Sequence, residues 1–306
     1  MKQNIILTIC ITYFFERDNI FNLFNSLKSI KEKEKIEILI RNDNPKIKLK
    51  KKNFKNFKNF SNLKIFNTNK KSIGELLSLR FLTKKSSGKF ICFLADDDLI
   101  SYKFFNIFMT RRKMNYNYLC HATSQRELWG TKTNYRFLNK TKLLSDFFER
   151  KIYLNPCVGM IFQKSLLNFE NIKILKNYNF DTYLLIYLIQ NFDIKLINYN
   201  YGYNNVIDSR ISSKALSPRI YYNGLSFIIN ILDKNLLLVF YKFFMENFYS
   251  NTFRSNKKIL QNVIFATKFH ILVKKRISGG FFLNFYLFKY YIKVFLKLVV
   301  SRKIYK

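Results

Sequence analysis

Three adjacent carboxylates, Asp96, Asp97 and Asp98, follow directly after an apolar run over residues 89–94. Neighbouring carboxylates repel one another unless a cation or hydrogen-bond donors neutralise them. Carboxylate oxygens suit Mg²⁺ or Mn²⁺, and such ions usually take one or two carboxylates together with the phosphates of a substrate. The triplet therefore indicates a metal-assisted phosphate site. The alternative is a cluster that caps a helix beginning near Ser101.

Alternating strands and helices position the triplet within the first half of the chain. Strands are predicted over residues 4–12, 36–41, 65–67 and 89–94, with helices over 18–30 and 73–85. Such alternation favours a mostly parallel sheet covered by helices. In open α/β sheets ligands bind outside the carboxyl ends of the strands, which is where the triplet falls. Shorter segments follow over residues 118–162, and then a helix over 181–190 and a strand over 194–199.

Basic residues dominate the charge of the chain, with 54 Lys and Arg against 19 Asp and Glu, a formal net charge of +35. The partners are therefore expected to be anionic, and phosphate on a nucleotide, a nucleic acid or a lipid is the obvious group. Ten lysines and no acid between residues 46 and 71 predict a solvated, partly mobile loop. Four widely spaced cysteines without a CxxC pair predict buried thiols in a reducing compartment.

Long aromatic helices are expected beyond Pro218, and we place a domain boundary near residue 215. Residues 247–306 contain 13 Lys or Arg and no acid. Lys289, Lys293 and Lys297 recur every four residues, so they line one face of a helix and leave aromatic and aliphatic residues on the rest. A basic amphipathic helix of this kind favours an anionic membrane surface. A core helix with a solvated lysine edge is the alternative.

The amino-terminal apolar run is about 11 residues long, is rich in β-branched residues and lacks a small-residue cleavage site, so it is interpreted as a strand and not a signal peptide. The protein is accordingly expected in the cytoplasm, peripheral on the inner face of the cytoplasmic membrane.

Several segments, in order, resemble the family 2 inverting glycosyltransferases over about residues 3–210. Residues 5–13, Ile-Ile-Leu-Thr-Ile-Cys-Ile-Thr-Tyr, are similar to the opening strand of the family. Residues 36–44, Ile-Glu-Ile-Leu-Ile-Arg-Asn-Asp-Asn, resemble its second strand, which usually ends in Asp-Asp-Gly-Ser. Residues 87–98, Ser-Gly-Lys-Phe-Ile-Cys-Phe-Leu-Ala-Asp-Asp-Asp, match its Gly-Glu-Tyr-Ile-x-Phe-Leu-Asp-x-Asp-Asp stretch.

This resemblance implies a GT-A fold, a Rossmann-like and mostly parallel sheet with helices on both faces. That nucleotide-sugar-binding and catalytic domain is predicted to occupy residues 1–215. A basic, aromatic helical region over residues 216–306 is predicted to follow it and to attach to a membrane surface. The implied reaction moves a sugar from a nucleotide-diphosphate sugar to a hydroxyl of a bacterial surface glycan or its lipid-linked precursor.

The resemblance also implies which residues bind the nucleotide. Thr12 and Tyr13 form the edge of the pocket, Arg80 and either Asn42 or Asp43 contact the base, and Asp96 is a further nucleotide-binding residue. Asn42 stands where the family usually has an Asp, which weakens its base contact or moves that contact to Asp43. Residues 69–74 with Arg80 resemble the Asn-x-Gly…Ala-Arg-Asn segment of the family.

Metal binding and catalysis are assigned in the same way. Asp97 is the implied ligand of Mg²⁺ or Mn²⁺, and Asp96 or Asp98 supplies the outer carboxylate. Asp181, at the start of a later apolar helix, is the implied general base that removes the proton of the attacking hydroxyl. A helix cap is the alternative for Asp181.

Two other classes of protein compete with this interpretation. A nucleic-acid-binding protein would explain the charge and the interleaved aromatic residues, but no recognisable nucleic-acid-binding signature is present. A non-catalytic membrane-associated scaffold on a degenerate transferase fold would explain the substituted motif positions.

Overall fold

The computed structural model describes most of the 306 residues. The described ranges are 4–14, 19–57, 60–69, 71–112, 116–167, 180–204, 228–252, 259–277 and 280–304. The chain divides into two compact units. The first unit comprises residues 1–137, 152–176 and 187–206, and the second comprises 138–151, 177–186 and 207–306. The predicted boundary at residue 215 lies outside the described residues and stays a prediction.

An eight-stranded sheet in the order β3-β2-β1-β4-β7-β6-β8-β5 forms the centre of the first unit. Its first four strands, β1 (Leu7–Tyr13), β2 (Ile36–Asn42), β3 (Leu63–Asn67) and β4 (Phe90–Ala95), run parallel to one another. Their bounds agree with the predicted strands to within a few residues at either end. Because these strands run the same way, their carboxyl ends meet at one edge of the sheet, as predicted.

The other half of the sheet contains β5 (Leu99–Ile100), β6 (Asn117–Thr123), β7 (Met160–Gln163) and β8 (Ile194–Tyr203). β7 is antiparallel to both β4 and β6, β6 is parallel to β8, and β5 is antiparallel to β8. Among the described strands, four pairings are therefore parallel and three antiparallel. β8 extends beyond the predicted end at Tyr199 because its last residues pair with β5.

Helices cover both faces of the sheet. α1 (Asn19–Leu27) buries Ile20, Leu23, Phe24 and Leu27, the spacing of a single apolar face, and these side chains share one core cluster with α3 (Tyr102–Arg111) and with residues of β1, β2 and β4. α2 (Glu75–Lys85) packs against β1 and β2 through Leu79 and Leu82, which do not belong to that core cluster. A one-turn helix, α5 (Pro156–Gly159), packs beside β4 and β6.

The lysine-rich segment after β2 is more ordered than predicted. Residues 51–57 form short 3₁₀ turns, and Phe54 is buried with its ring 4.9 Å from that of Phe24. The side chain of Asn67 accepts a hydrogen bond from Leu49 N and donates one to Leu49 O, both at 2.9 Å. The segment is thus held at two points, while its lysines between residues 46 and 52 stay exposed.

The described part of the second unit is helical. Its helices are α4 (Lys140–Phe148), α7 (Lys234–Thr252), α8 (Ile259–Lys274) and α9 (Gly280–Ile304). Aromatic side chains fill its core, with the ring of Phe240 5.1 Å from Phe148 and 6.2 Å from Phe269. α6 (Phe180–Asn191) contains the division between the two units. Among the helices that the structure describes, none combines the length and apolarity that crossing a bilayer requires.

The four cysteines, Cys10, Cys92, Cys120 and Cys157, are all free and buried. The interpretation of these residues as buried thiols is confirmed.

Candidate active site

The end of β1 lies between the loops that follow β2 and β4. Asp43 N donates to Tyr13 O at 2.8 Å, and Asp96 N donates to Thr12 O at 3.1 Å. The strand order turns back at this point, since β2 and β3 lie on one side of β1 and β4 lies on the other. Ligands of open α/β sheets bind outside the strand ends at such a reversal. The predicted nucleotide and metal residues of these loops therefore share one edge.

The side chain of Asp43 organises the loop that leads into α2. Its carboxylate accepts hydrogen bonds from Ser72 Oγ at 2.5 Å, from Ile73 N at 3.0 Å and from Gly74 N at 2.8 Å. Gly74 has a φ of +85°, a left-handed conformation that residues with a Cβ rarely adopt. Asp43 is itself almost fully buried. It thus fixes the backbone at the start of α2, the helix that carries Arg80.

Asn42, the last residue of β2, uses its side chain within the protein. Its amide donates to Ile47 O at 2.6 Å and to Asn67 Oδ1 at 2.8 Å, and its Oδ1 accepts from Asn44 N at 3.0 Å. Asn42 is fully buried. These bonds connect the ends of β2 and β3 to the start of the lysine-rich segment, so Asn42 stabilises the local backbone. The predicted contact of Asn42 with a base stays a prediction.

The acidic triplet forms the turn between β4 and β5. Asp96 and Asp98 are buried, whereas Asp97 is half-buried. Asp96 Oδ2 accepts a hydrogen bond from Phe14 N at 3.3 Å, and Asp98 N donates to Ala95 O at 3.4 Å. Asp96 therefore holds the end of β1 with both its backbone and its side chain. Asp97 is the most exposed residue of the triplet.

The capping alternative for the triplet does not describe this structure. α3 begins at Tyr102, and its N-cap is Ser101, whose side chain accepts from Lys103 N at 3.4 Å. β5 separates Asp98 from that helix end.

The donor groups at the triplet fit a divalent cation that is shared with a substrate. They are hard oxygen ligands, which suit Mg²⁺ or Mn²⁺. Within the described ranges, no three His, Cys, Asp or Glu side chains converge as a metal-binding group. One or two carboxylates at a strand end leave most of the coordination shell to phosphate and water oxygens. Asp97, with Asp96 or Asp98 beside it, is the part of the site that would hold the ion.

The remaining predicted residues occupy two different parts of the chain. Thr12 and Tyr13 are buried at the end of β1, and Arg80 is half-buried on α2. All three residues belong to the first unit. Asp181 is the second residue of α6 and falls in the second unit. Its side chain lies outside the described ones, so its role as the base stays a prediction.

A cationic and aromatic cluster beside the triplet was missed from the sequence. The guanidinium of Arg126 lies 5.1 Å from the ring centre of Trp129 and 5.3 Å from that of Tyr203. Trp129 Nε1 donates to Tyr201 O at 2.9 Å, and Tyr203 pairs with Leu99, the residue after the triplet. Arginine and aromatic faces together can bind an anion and a flat apolar surface. No spacing in the sequence predicts that residues 126 and 203 meet.

His121 is a second group that the sequence did not single out. It lies on β6 where the register with β8 shifts, so that Cys120 pairs with Ile197 and His121 with Asn200. Burial lowers the pKa of His121 to about 4, and a side-chain interaction with Asn198 opposes that effect. His121 is therefore neutral at physiological pH.

Comparisons with known proteins agree with this geometry. A family model described as "Glycosyl transferase family 2" matches residues 8–168, more than half of the 306 residues. No curated protein sequence matches the chain.

Solved structures share the fold at low sequence identity. S. aureus TarS 1-349 in complex with UDP-GlcNAc has a TM-score of 0.71 and 14% identity, covering 95% of this chain and 90% of that chain. The same protein in complex with UDP has a TM-score of 0.68 and 16% identity, covering 95% and 89%. The mannosyltransferase PcManGT from Pyrobaculum calidifontis, in complex with GDP-Man and Mn²⁺, has a TM-score of 0.55 and 9% identity, covering 95% and 86%.

The resemblance seen in the sequence is thus confirmed by an independent family match and by the fold. The chain belongs to glycosyl transferase family 2, as a glycosyltransferase with a GT-A fold.

Proposed function

We propose that the protein transfers a sugar from a nucleotide-diphosphate sugar bound at the carboxyl edge of β1, β2 and β4. The observation that carries this proposal is the arrangement around the end of β1, with Asp43 on one side and Asp96 on the other. Similarity in fold to TarS bound to UDP-GlcNAc and to PcManGT bound to GDP-Man supports a nucleotide-sugar donor.

In this proposal the first unit binds the donor before any chemistry occurs. The buried backbone at Thr12 and Tyr13 forms the floor of the nucleotide pocket. Asp43 holds the loop at residues 72–74, and that loop presents α2 and Arg80 to the base. Binding a donor to preorganised groups costs less conformational entropy, because those protein groups do not have to become ordered when the donor binds.

Asp97 is proposed to hold Mg²⁺ or Mn²⁺, with Asp96 or Asp98 as the neighbouring carboxylate. The ion would supply positive charge to the diphosphate and so stabilise the leaving group. The half-buried position of Asp97 supports this assignment, because Asp97 is more exposed than its buried neighbours Asp96 and Asp98. The complex of PcManGT with Mn²⁺ gives independent support from a protein of similar fold.

Asp181 is proposed as the general base of a single, inverting displacement. It would accept the proton of the attacking acceptor hydroxyl as the sugar leaves the nucleoside diphosphate from the opposite face. Its place as the second residue of an apolar helix matches the order of the family segments. General-base action of this kind contributes about 10²- to 10⁴-fold in rate.

The acceptor is proposed to be a hydroxyl of a glycan or of a lipid-linked glycan. A fold supports many substrates, so this part of the proposal rests on analogy within the family. The strongly basic chain supports an acceptor or a surrounding surface that is anionic.

The proposal is tested by incubating the full chain with UDP-sugars and GDP-sugars in the presence of Mn²⁺ and measuring the nucleoside diphosphate released. Slow release from one nucleotide class, abolished by a chelator, is the expected result. Release that is the same with and without metal would contradict the metal assignment. Failure of every donor to bind or react would contradict the proposed function itself.

A further inference from the structure

α9 carries a stripe of large apolar side chains that the described residues of its own unit leave exposed. Phe285, Phe288, Ile292, Phe295 and Leu296 are 55%, 61%, 42%, 65% and 55% exposed. At 100° per residue, these five positions fall within an arc of about 100° on one side of the helix. Between residues 285 and 296 the stripe is about 16 Å long at the rise of an α-helix. We call these five residues the apolar stripe.

The opposite side of α9 forms the interior of the second unit. Leu283, Tyr290 and Val294 are buried there. Tyr241 Oη donates to Leu283 O at 3.3 Å and lies 2.8 Å from His270 Nδ1, which ties α9 to α7 and α8. The helix is therefore already packed on its inner face, and the apolar stripe is an additional surface.

Lysines border the apolar stripe along one edge. Lys289 is exposed and Lys293 is half-buried, and both fall between the stripe and the packed side of the helix. Lysine side chains can lie along an apolar surface while their ammonium groups reach a polar one. The sequence predicted the lysine face and the aromatic and aliphatic residues beside it, and the structure adds that the apolar face next to the lysines is exposed.

α8 repeats this combination. Ile264 and Ile271 are 43% and 47% exposed, and the exposed Lys268 lies between them at helical spacing. Isolated exposed apolar residues are normal, but a contiguous row bordered by one sign of charge marks an interaction surface.

Charge identifies the partner that fits this surface. Residues 247–306 contain 13 Lys or Arg and no acid, and the whole chain has a formal charge of +35. A second copy of the chain would place these lysines against one another, and like charges brought together at an interface are unfavourable. An anionic lipid surface offers opposite charge for the lysines and an apolar layer for the stripe.

We propose that the apolar stripe of α9, with Lys289 and Lys293 at its edge, docks the protein on the surface of an anionic lipid bilayer. The helix lies in the plane of the surface, with the phenylalanine rings in the acyl boundary and the ammonium groups at the lipid phosphates. In a bacterial cell that surface is the inner face of the cytoplasmic membrane. The inference goes beyond the proposed transfer reaction and does not depend on it.

The test is co-sedimentation of the full chain with vesicles of phosphatidylglycerol and phosphatidylcholine, and with vesicles of phosphatidylcholine alone. Binding to the anionic vesicles is expected to weaken, without vanishing, as salt is raised. A double variant, Phe288→Ser with Phe295→Ser, is expected to lower the vesicle affinity at least tenfold, because both rings are exposed and leave water on docking. Lys289→Gln with Lys293→Gln is expected to lower it roughly 30-fold at low salt.

A matched control removes apolar residues elsewhere in the same unit. Leu138→Ser with Leu238→Ser changes two side chains that are 59% and 40% exposed and is expected to bind vesicles within about twofold of the unchanged protein. Wild-type protein that never sediments with anionic vesicles would overturn the proposal. So would a phenylalanine variant that binds as tightly as wild type, or a wild-type dimer that this variant converts to a monomer without any change in vesicle binding.

Discussion

Asp43→Asn separates two roles for Asp43, that of a loop anchor and that of a nucleotide contact. Asp43 Oδ2 accepts from both Ser72 Oγ and Gly74 N, and Oδ1 accepts from Ile73 N at 3.0 Å. An amide in place of the carboxylate removes the charge and turns an accepting atom toward a donor. At least one of these bonds is lost, and the others are weakened.

The magnitude follows from the number and the exposure of the donors. A hydrogen bond to a charged group contributes about 1.5–3 kcal/mol to stability. Ile73 and Gly74 are exposed, so their N–H groups regain water when the carboxylate is lost. We therefore expect Asp43→Asn to lower the free energy of unfolding by about 2–4 kcal/mol, and Ser72→Ala, which removes one donor and keeps the carboxylate, by about 1 kcal/mol.

Urea denaturation followed by circular dichroism measures both changes, and calorimetry with UDP or GDP measures the nucleotide affinity of the same variants. The anchor role predicts that stability and affinity fall together in Asp43→Asn and fall less in Ser72→Ala. An Asp43→Asn protein with unchanged stability and reduced nucleotide affinity would refute the anchor reasoning and assign Asp43 to the base alone.

Two further predictions concern catalysis and pH. Asp181→Asn is expected to lower kcat at least 100-fold while donor affinity stays nearly constant, since the base acts on the acceptor hydroxyl. Steady-state kinetics and donor-binding measurements check this. Full activity of the variant would show that another residue is the base. The pKa of His121 is about 4 in the folded protein against about 6.5 in an unfolded chain, so its stabilising contribution is complete above pH 6.5 and is lost as pH falls towards 4. Compared with wild type, His121→Gln should lose about 2–3 kcal/mol less stability between pH 7 and pH 4.5 in urea denaturation, and equal losses would contradict the lowered pKa.

The parallel half of the sheet could be predicted because its strands are continuous apolar runs separated by helices. Buried parallel strands read as such runs, and the residues between Phe90 and Ala95 are an example. The position of the acidic triplet at a strand end followed directly. The helix predicted over residues 73–85 begins at Glu75 in the structure, two residues later than predicted. The reason is that Asp43, far away in the sequence, holds residues 72–74 outside the helix.

The antiparallel half could not be predicted in the same way. β5 and β7 have two and four residues, too few to show an alternating pattern. Their pairing depends on partners far apart in the chain, such as Leu99 with Tyr203. For that reason the cluster of Arg126, Trp129 and Tyr203 had no signal in the sequence.

The lysine-rich segment and α9 both show that a pattern of lysines in the sequence does not tell which of the neighbouring apolar side chains are buried. The lysine-rich segment was predicted to be partly mobile, yet Phe54 packs against Phe24 of α1 and Asn67 holds Leu49 by two hydrogen bonds. On α9 the lysines were predicted correctly as a face, while the exposure of Phe288 and Phe295 depends on which side packs against α7 and α8. Helical periodicity gives faces but does not say which of them is covered.

The central claim, a metal-dependent nucleotide site at the end of β1, is tested most directly by calorimetric titration of UDP and GDP with Mn²⁺ into the wild-type protein, Asp97→Ala and Glu34→Ala. Glu34 is exposed just before β2, so its replacement makes the same change of charge away from the carboxyl edge. We predict that one of the two nucleotides binds wild type and Glu34→Ala only with the metal, and that Asp97→Ala abolishes this binding. Nucleotide affinity that is unchanged by Asp97→Ala and by a chelator would contradict the account.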